Sequence, residues 1–233
     1  MAFPELSHSP VPLREAEADA LILALPPLAD AGDILADWPG LQAALEAVGF
    51  TGAAGATVRA YAPDATGTPL VVVGTGSDPD AATLRDAVGA AVRTTTGFDV
   101  VAIGAPAVAG TAGAARALAE GAVIGGYRFD GYKTVPGPAR ASRVVLHAED
   151  AADELDRART IGAATALVKD LVNTPAEWLG PQDVADAATA AVAELPITVT
   201  VLDERELAEG GYGGILGVGQ GSARGPRRTR GCP

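Results

Sequence analysis

Four sets of residues in this sequence have types and spacing that could do chemistry. Gly74-Thr75-Gly76-Ser77-Asp78 follows a short apolar run and precedes a helical pattern, so its amides could meet a phosphate at a helix N-terminus. Pro79 breaks the dinucleotide-type glycine spacing, and Asp78 puts negative charge where an anion would lie. A tight strand-to-helix turn with a side-chain cap is the expectation. Gly217-Val218-Gly219-Gln220-Gly221-Ser222 has no Gly-Lys-Ser/Thr sequel, so it is not a nucleotide-phosphate loop. Glycines at that density let backbone approach backbone, and packing is the expected role. His8 and His147 are the only histidines and neither has a cysteine at ligand spacing. His147 is expected to be structural, and no Ser-His-Asp order is convincing. Glu149, Asp150, Asp153 and Glu154 cluster where a helix should begin, and favourable interaction with the helix dipole accounts for them. No complete catalytic, cofactor-binding or metal-binding constellation emerges, so no site residue of these three kinds is assigned.

The elements that would carry these residues alternate between strands and helices. Residues 20–25, 57–61, 70–73, 100–103 and 143–147 read as strands, and 41–48, about 77–94 and 112–126 as helices, with Ser77-Asp78 as the cap of the second. That alternation predicts an α/β fold, a mixed sheet flanked by helices, over residues 1–148. Residues 149–172 predict a linker helix of about 30 Å, with Leu155, Ala158, Ile161, Thr165, Val168 and Leu171 or Val172 on one stripe. Asn173-Thr174-Pro175 stops it, because the residue before proline is pushed out of the α region. A second α/β unit then opens, 173–233, with a helix over 182–194, a strand over 197–201 and a short helical turn over 203–207.

The 233 residues carry 48% apolar side chains, enough for a sizeable core, but few aromatics. Abundant alanine, glycine and valine predict close packing of small side chains. The net charge of −12 repels phosphate backbones and anionic lipid surfaces, which makes nucleic acid an improbable partner and a membrane a poor one. A single cysteine, Cys232, excludes an internal disulfide and fits a reducing compartment. The first apolar run follows acidic residues and is too short for a signal peptide or a span, so a cytoplasmic location is expected.

Taken together and in order, several segments resemble the leucyl (cytosol) aminopeptidase family. They are Glu120-Gly121, Tyr127-Arg128-Phe129-Asp130 with Tyr132-Lys133, Asn173-Thr174-Pro175, Leu202-Asp203-Glu204 with Glu206-Leu207, and Gly213-Gly214 through Leu216 to Ser222. The resemblance is strongest over about 120–222. It implies a macro-like N-terminal domain, a linker helix, and the start of a catalytic domain that is incomplete here. In full-length relatives it implies two divalent metals, manganese or zinc, that activate water to release N-terminal amino acids from peptides. It also implies a homo-hexamer. The metal-binding and catalytic residues of the family lie beyond the glycine run, so none is carried over and no cofactor is assigned to this chain, which is expected to be inactive alone. The resemblance runs to Ala223-Arg224. Residues 225–233 then depart in composition, as a shifted reading frame in a GC-rich gene would make them, with a genuine basic tail as the alternative. The tail is expected to be disordered. A macro-like module binding an ADP-ribose type ligand, or a DNA-binding accessory module, is the second reading.

Overall fold

In the computed structural model, residues 3–135, 137–148 and 151–232 are described. The chain divides into two compact units, Met1–Leu167 and Val168–Pro233. The first contains β1 (Glu5–Ser9), β2 (Ala20–Leu25), α1 (Gly32–Ala36), α2 (Leu41–Ala47), β3 (Thr57–Ala60), β4 (Leu70–Gly74), α3 (Ala81–Thr94), β5 (Val100–Gly104), α4 (Ala114–Gly126) and β6 (Arg143–His147). Helix α5 (Ala152–Asn173) runs through the division. The second unit continues with α6 (Pro181–Ala191), β7 (Thr198–Leu202), α7 (Glu204–Glu209), α8 (Gly213–Gly219) and β8 (Arg228–Cys232).

The first unit is built on a six-stranded sheet in the order β1-β6-β5-β2-β4-β3. All neighbouring pairs are parallel except β3 with β4, which makes the sheet mixed, as expected. Side chains alternate across a strand, and β2 shows what that does here. Ala20, Ile22 and Ala24 join one core with α3, α4 and the start of α5. Leu21, Leu23 and Leu25 join another, with Leu35 and Trp38 near α1 and Leu41 and Leu45 of α2. A strand covered on both faces reads as a continuous apolar run, which is why β2, β4 and β5 stand out in the sequence. Strand β1 does not: only Leu6 is buried, and its register is set by β6, where Glu5 pairs with Arg143.

Helices α3 and α4 meet through glycines. A Cβ at Gly125 would stand 2.1 Å from the Gly89 carbonyl oxygen, and one at Gly121 would stand 2.6 Å from that of Arg85. The Glu120-Gly121 pair therefore has a packing reason, since a side chain at 121 would force the helices apart. Helix α5 uses the same device. Leu155 and Ala158 are buried as the periodicity predicts, but burial then follows Gly162 and Ala166, while Ile161 and Val168 are exposed. The small residues win because a Cβ at Gly162 would sit 2.9 Å from Val123 of α4; the helix comes too close there for isoleucine.

In the second unit, β7 and β8 form an antiparallel two-stranded sheet, with Leu202 opposite Arg228 and Thr198 opposite Cys232. Helix α8 occupies part of the glycine run, and β8 occupies part of the tail expected to be disordered, which corrects that expectation. The tail is ordered by its own arginines. Arg224 Nη1 donates to the Ala176 carbonyl (2.8 Å), and Arg227 Nε to Gln182 Oε1 (2.9 Å). Arg227 Nη1 pairs with Glu204 (3.0 Å). Arg228 donates to the Tyr212 hydroxyl (2.9 Å) and stacks 4.7 Å from that ring's centroid.

Candidate functional site

Three amides of the Gly74–Asp78 turn are already used within the fold, which leaves them unavailable to an anion. The N–H groups of Gly74, Thr75 and Gly76 donate to the carbonyls of Ala56 (2.8 Å), Leu25 (2.8 Å) and Gly52 (3.0 Å). Gly74 has no room for a side chain, since a Cβ would fall 2.1 Å from the Ala53 oxygen. The cap of α3 is Asp80 rather than Ser77 or Asp78. Its Oδ1 accepts from the Thr83 N–H at 2.7 Å, and that bond holds the carboxyl below its ordinary value. Pro79 delays the helix start by excluding Asp78 from the α region.

His147, at the end of β6, places Nδ1 2.7 Å from the Val11 carbonyl. A carbonyl only accepts, so Nδ1 carries the proton and the ring tethers β6 to the segment after β1. His8 is an exposed residue of β1. Of the acidic cluster, Glu149 and Asp150 lie outside the described residues. Asp153 and Glu154 sit in the first turn of α5. Glu154 accepts from Arg116 Nε at 2.8 Å, and this bond holds its carboxyl below the usual range.

The segments that carry the family resemblance prove to be fasteners. Asp203 caps α7, accepting from the Glu206 N–H at 2.9 Å, while Glu206 Oε2 accepts from the Asp203 N–H at 2.9 Å. This capping box holds the Asp203 carboxyl low, chiefly through the Glu206 N–H, and positions Leu207, which is fully buried. At Asn173-Thr174-Pro175, the Thr174 N–H and hydroxyl both donate to the Asp170 carbonyl, at 3.0 and 2.8 Å, and close α5. In Tyr127–Lys133, Arg128 donates to the carbonyls of Pro138 (2.6 Å) and Gly137 (2.8 Å). Arg140 reaches back to the Tyr127 carbonyl (2.9 Å). Asp130 pairs with both Lys133 and Arg128, and Lys133 is the larger cause of its lowered pKa. Within the glycine run, Gly219 has a packing reason, a Cβ there falling 2.7 Å from Pro226, whereas Gly217 and Gly221 face open space.

The first unit also holds a cleft of about 840 Å³ at the carboxyl ends of the parallel strands, which the sequence did not signal. Its wall draws on Leu13, Trp38, Gly104, Gly113, Arg116 and His147, brought together only by the sheet order. Clefts at this edge of an open α/β sheet are common ligand positions. The chemistry available is limited, however. Arg116 is committed to Glu154, His147 to Val11, and Arg14 to the Asp37 carbonyl at 2.9 Å. Among the described residues of its wall, no nucleophile is shown paired with a base. Among the described residues no three His, Cys, Asp or Glu side chains converge as a metal site would require. The metal pair implied for full-length relatives therefore does not fit the residues described here. Among the described residues no helix is long and apolar enough to cross a membrane.

Comparison with known proteins gives these fasteners a common origin. A sequence model of the N-terminal domain of the cytosol aminopeptidase family matches residues 27–136, and one of the family's catalytic domain matches 166–230. The second match runs past Arg224, where the resemblance read from the sequence ends. A probable cytosol aminopeptidase of Leifsonia xyli is 43% identical over 197 residues, covering 82% of this chain and 39% of the relative. That of Clavibacter michiganensis is 38% identical over 244 residues, covering 99% of this chain and 48% of the relative. Among solved structures, the bottromycin maturation enzyme BotP in complex with Mn aligns with a TM-score of 0.73 at 28% identity, over 91% of this chain and 44% of BotP. A tomato leucine aminopeptidase mutant aligns with a TM-score of 0.83 over 97% of this chain and 50% of its own; at 19% identity that likeness shows the fold alone. The chain spans about two fifths to one half of the length of these curated relatives. These findings favour the peptidase reading over a ligand-binding or DNA-binding module. With the N-terminal and catalytic patterns both present and in order, the chain belongs to the cytosol aminopeptidase family.

Proposed function

We propose that this chain supplies the N-terminal domain and the opening segment of the catalytic domain of a metal-dependent aminopeptidase, and that by itself it does not hydrolyse peptides. The observation that carries the reading is the order of the two family patterns on one chain, 27–136 and then 166–230. In the full-length enzyme the activity would be release of N-terminal amino acids from peptides by water activated between two divalent ions, manganese or zinc. Peptides are then the substrates, a homo-hexamer the assembly and the cytoplasm the location. The proposed organisation is a domain over 1–148, a linker helix over 149–172 and the catalytic segment from 173. Incubation of the purified chain with leucine p-nitroanilide and either metal tests the proposal. No hydrolysis is expected. Metal-dependent turnover that persists after host aminopeptidases are removed would overturn the claim of inactivity.

A further inference from the structure

The cleft at the carboxyl ends of the parallel strands lies where the sheet changes direction. Strands β2 and β5 are parallel neighbours. The chain leaves β2 for α1 and α2, which pack with Leu21 and Leu23 on one face. It leaves β5 for α4, which packs with Ala20 and Ile22 on the other. Where adjacent connections part to opposite faces, an open α/β sheet leaves a crevice, and ligands bind there. The cleft of about 840 Å³ occupies this place. Its lining includes α1, the first turn of α4, and the apolar side chains of Leu13, Trp38 and Pro106. Its volume is that of a small-molecule site, and all of its lining residues belong to the first unit.

Two parts of this lining offer opposite charge. Asp33, in α1, and Asp37, at its C-terminal cap, lie one helical turn apart. Neither carboxylate has a hydrogen-bond or ion-pair partner among the described residues, and Arg14 reaches Asp37 only at its backbone carbonyl. The helix dipole does not account for Asp37, because a negative charge is disfavoured at a helix C-terminus. At the start of α4, the Ala114 N–H donates to Thr111 and the Ala117 N–H to Gly113. The N–H groups of Ala115 and Arg116 between them have no acceptor among the described residues, and no side chain caps the helix. Arg116 gives Glu154 two of its N–H groups, at 2.8 and 3.4 Å, and a guanidinium has others to donate.

We infer that this cleft binds a short unblocked peptide, its amino end at Asp33 and Asp37, its carboxylate at Arg116 and the start of α4, and its apolar side chains over Trp38 and Leu13. A zwitterion suits a lining of both signs. A polyanion such as a nucleotide diphosphate suits it less well, because Asp33, Asp37 and Glu154 all face the same space. The inference draws on the first unit alone and does not depend on the peptidase reading.

Isothermal titration of the full chain with the dipeptide leucyl-phenylalanine tests the inference. A saturable site with a dissociation constant of about 0.1 mM or tighter is expected. Acetylating the amino end or amidating the carboxyl end should each weaken binding about tenfold or more, since each removes one charged partner. Asp33→Asn together with Asp37→Asn should weaken the unblocked dipeptide by a similar factor and leave the acetylated one unchanged. Ala115→Glu should weaken the unblocked dipeptide and leave the amidated one unchanged. An acid in the first turn favours the helix, so this variant should fold. No saturable heat up to about 5 mM dipeptide overturns the inference. So does binding that ignores the blocking of either end, or that ignores either variant. Tighter binding of ADP than of the dipeptide also overturns it, since the site would then prefer a polyanion.

Discussion

The two units of this molecule both form helices and strands but bury them very differently. In Met1–Leu167, the strands β2, β4 and β5 are covered on both faces, and Leu21, Ile22, Leu23, Val72 and Ile103 have no solvent exposure. In Val168–Pro233, helix stops, a capping box and arginine clasps are all in place, yet Leu207 is the one large apolar side chain fully buried among the described residues. Local signals of the capping and stop type each contribute on the order of 1 kcal/mol and decide where elements begin and end. Burial contributes about 1.5–3 kcal/mol per large side chain, but it needs a second layer. The contrast teaches that local signals can all be in place in a segment whose apolar side chains are mostly left uncovered.

The largest effect that separates the units is a core truncation. Leu23→Ala should lower the stability of the first unit by about 4 kcal/mol, read by urea denaturation, because Leu23 is fully buried. Val218→Ala should change the same measurement by less than about 0.5 kcal/mol. Comparable losses from the two variants would erase the distinction between them.

The next effect tests how close the helices come. Gly121→Ala should cost about 2–3 kcal/mol, since the added Cβ meets the Arg85 backbone carbonyl rather than a flexible side chain. An alanine accepted at no cost would show that α3 and α4 are not held together as described. The extent of the first unit comes third. A protein of residues 1–148 should unfold cooperatively, but residues 1–167 should be the more stable by about 2–3 kcal/mol, because α5 adds Leu155 and Ala158 to the core. Equal midpoints in urea would place α5 outside that core.

The smallest effect is pH dependence at the α7 cap. Asp203 has its folded pKa lowered, chiefly by the Glu206 N–H. Its contribution is therefore present above the ordinary carboxylate value and lost as pH falls through the lowered folded value. Asp203→Ala should lower the thermal midpoint at pH 7, and the difference from the parent chain should shrink towards pH 3. A difference that persisted at low pH would mean that the charge of Asp203 plays no part in the cap.

Much of the first unit was legible because two-sided burial leaves a continuous apolar run. β2 and β6 begin and end where the pattern says, and β4 and β5 differ by one residue. Strand β1 was not legible, since a single buried leucine defines it and its partner lies far along the chain. The stripe on α5 was half right, because periodicity cannot tell that Val123 crowds position 162. Strand β8 escaped because Thr229 is the one strand-favouring side chain among its arginines and glycine; its pairing comes from β7, and acceptors at Gln182, Glu204 and Tyr212 hold Arg227 and Arg228 at its start. The cleft at the sheet edge was invisible for a related reason: its wall is assembled from widely separated turns.

Native-state hydrogen exchange on the whole chain is the most direct test of the central claim, that the first unit is held by a sheet buried on both faces while the second, with few buried apolar side chains among the described residues, opens locally. Amides of β4 (70–74) and β5 (100–104) should exchange only through global unfolding, whereas those of β7 (198–202) and β8 (228–232) should exchange at least about a hundredfold faster, through local opening. Protection in β7 and β8 equal to that in β4 and β5 would show that the second unit is stable without a further layer, and would contradict the account.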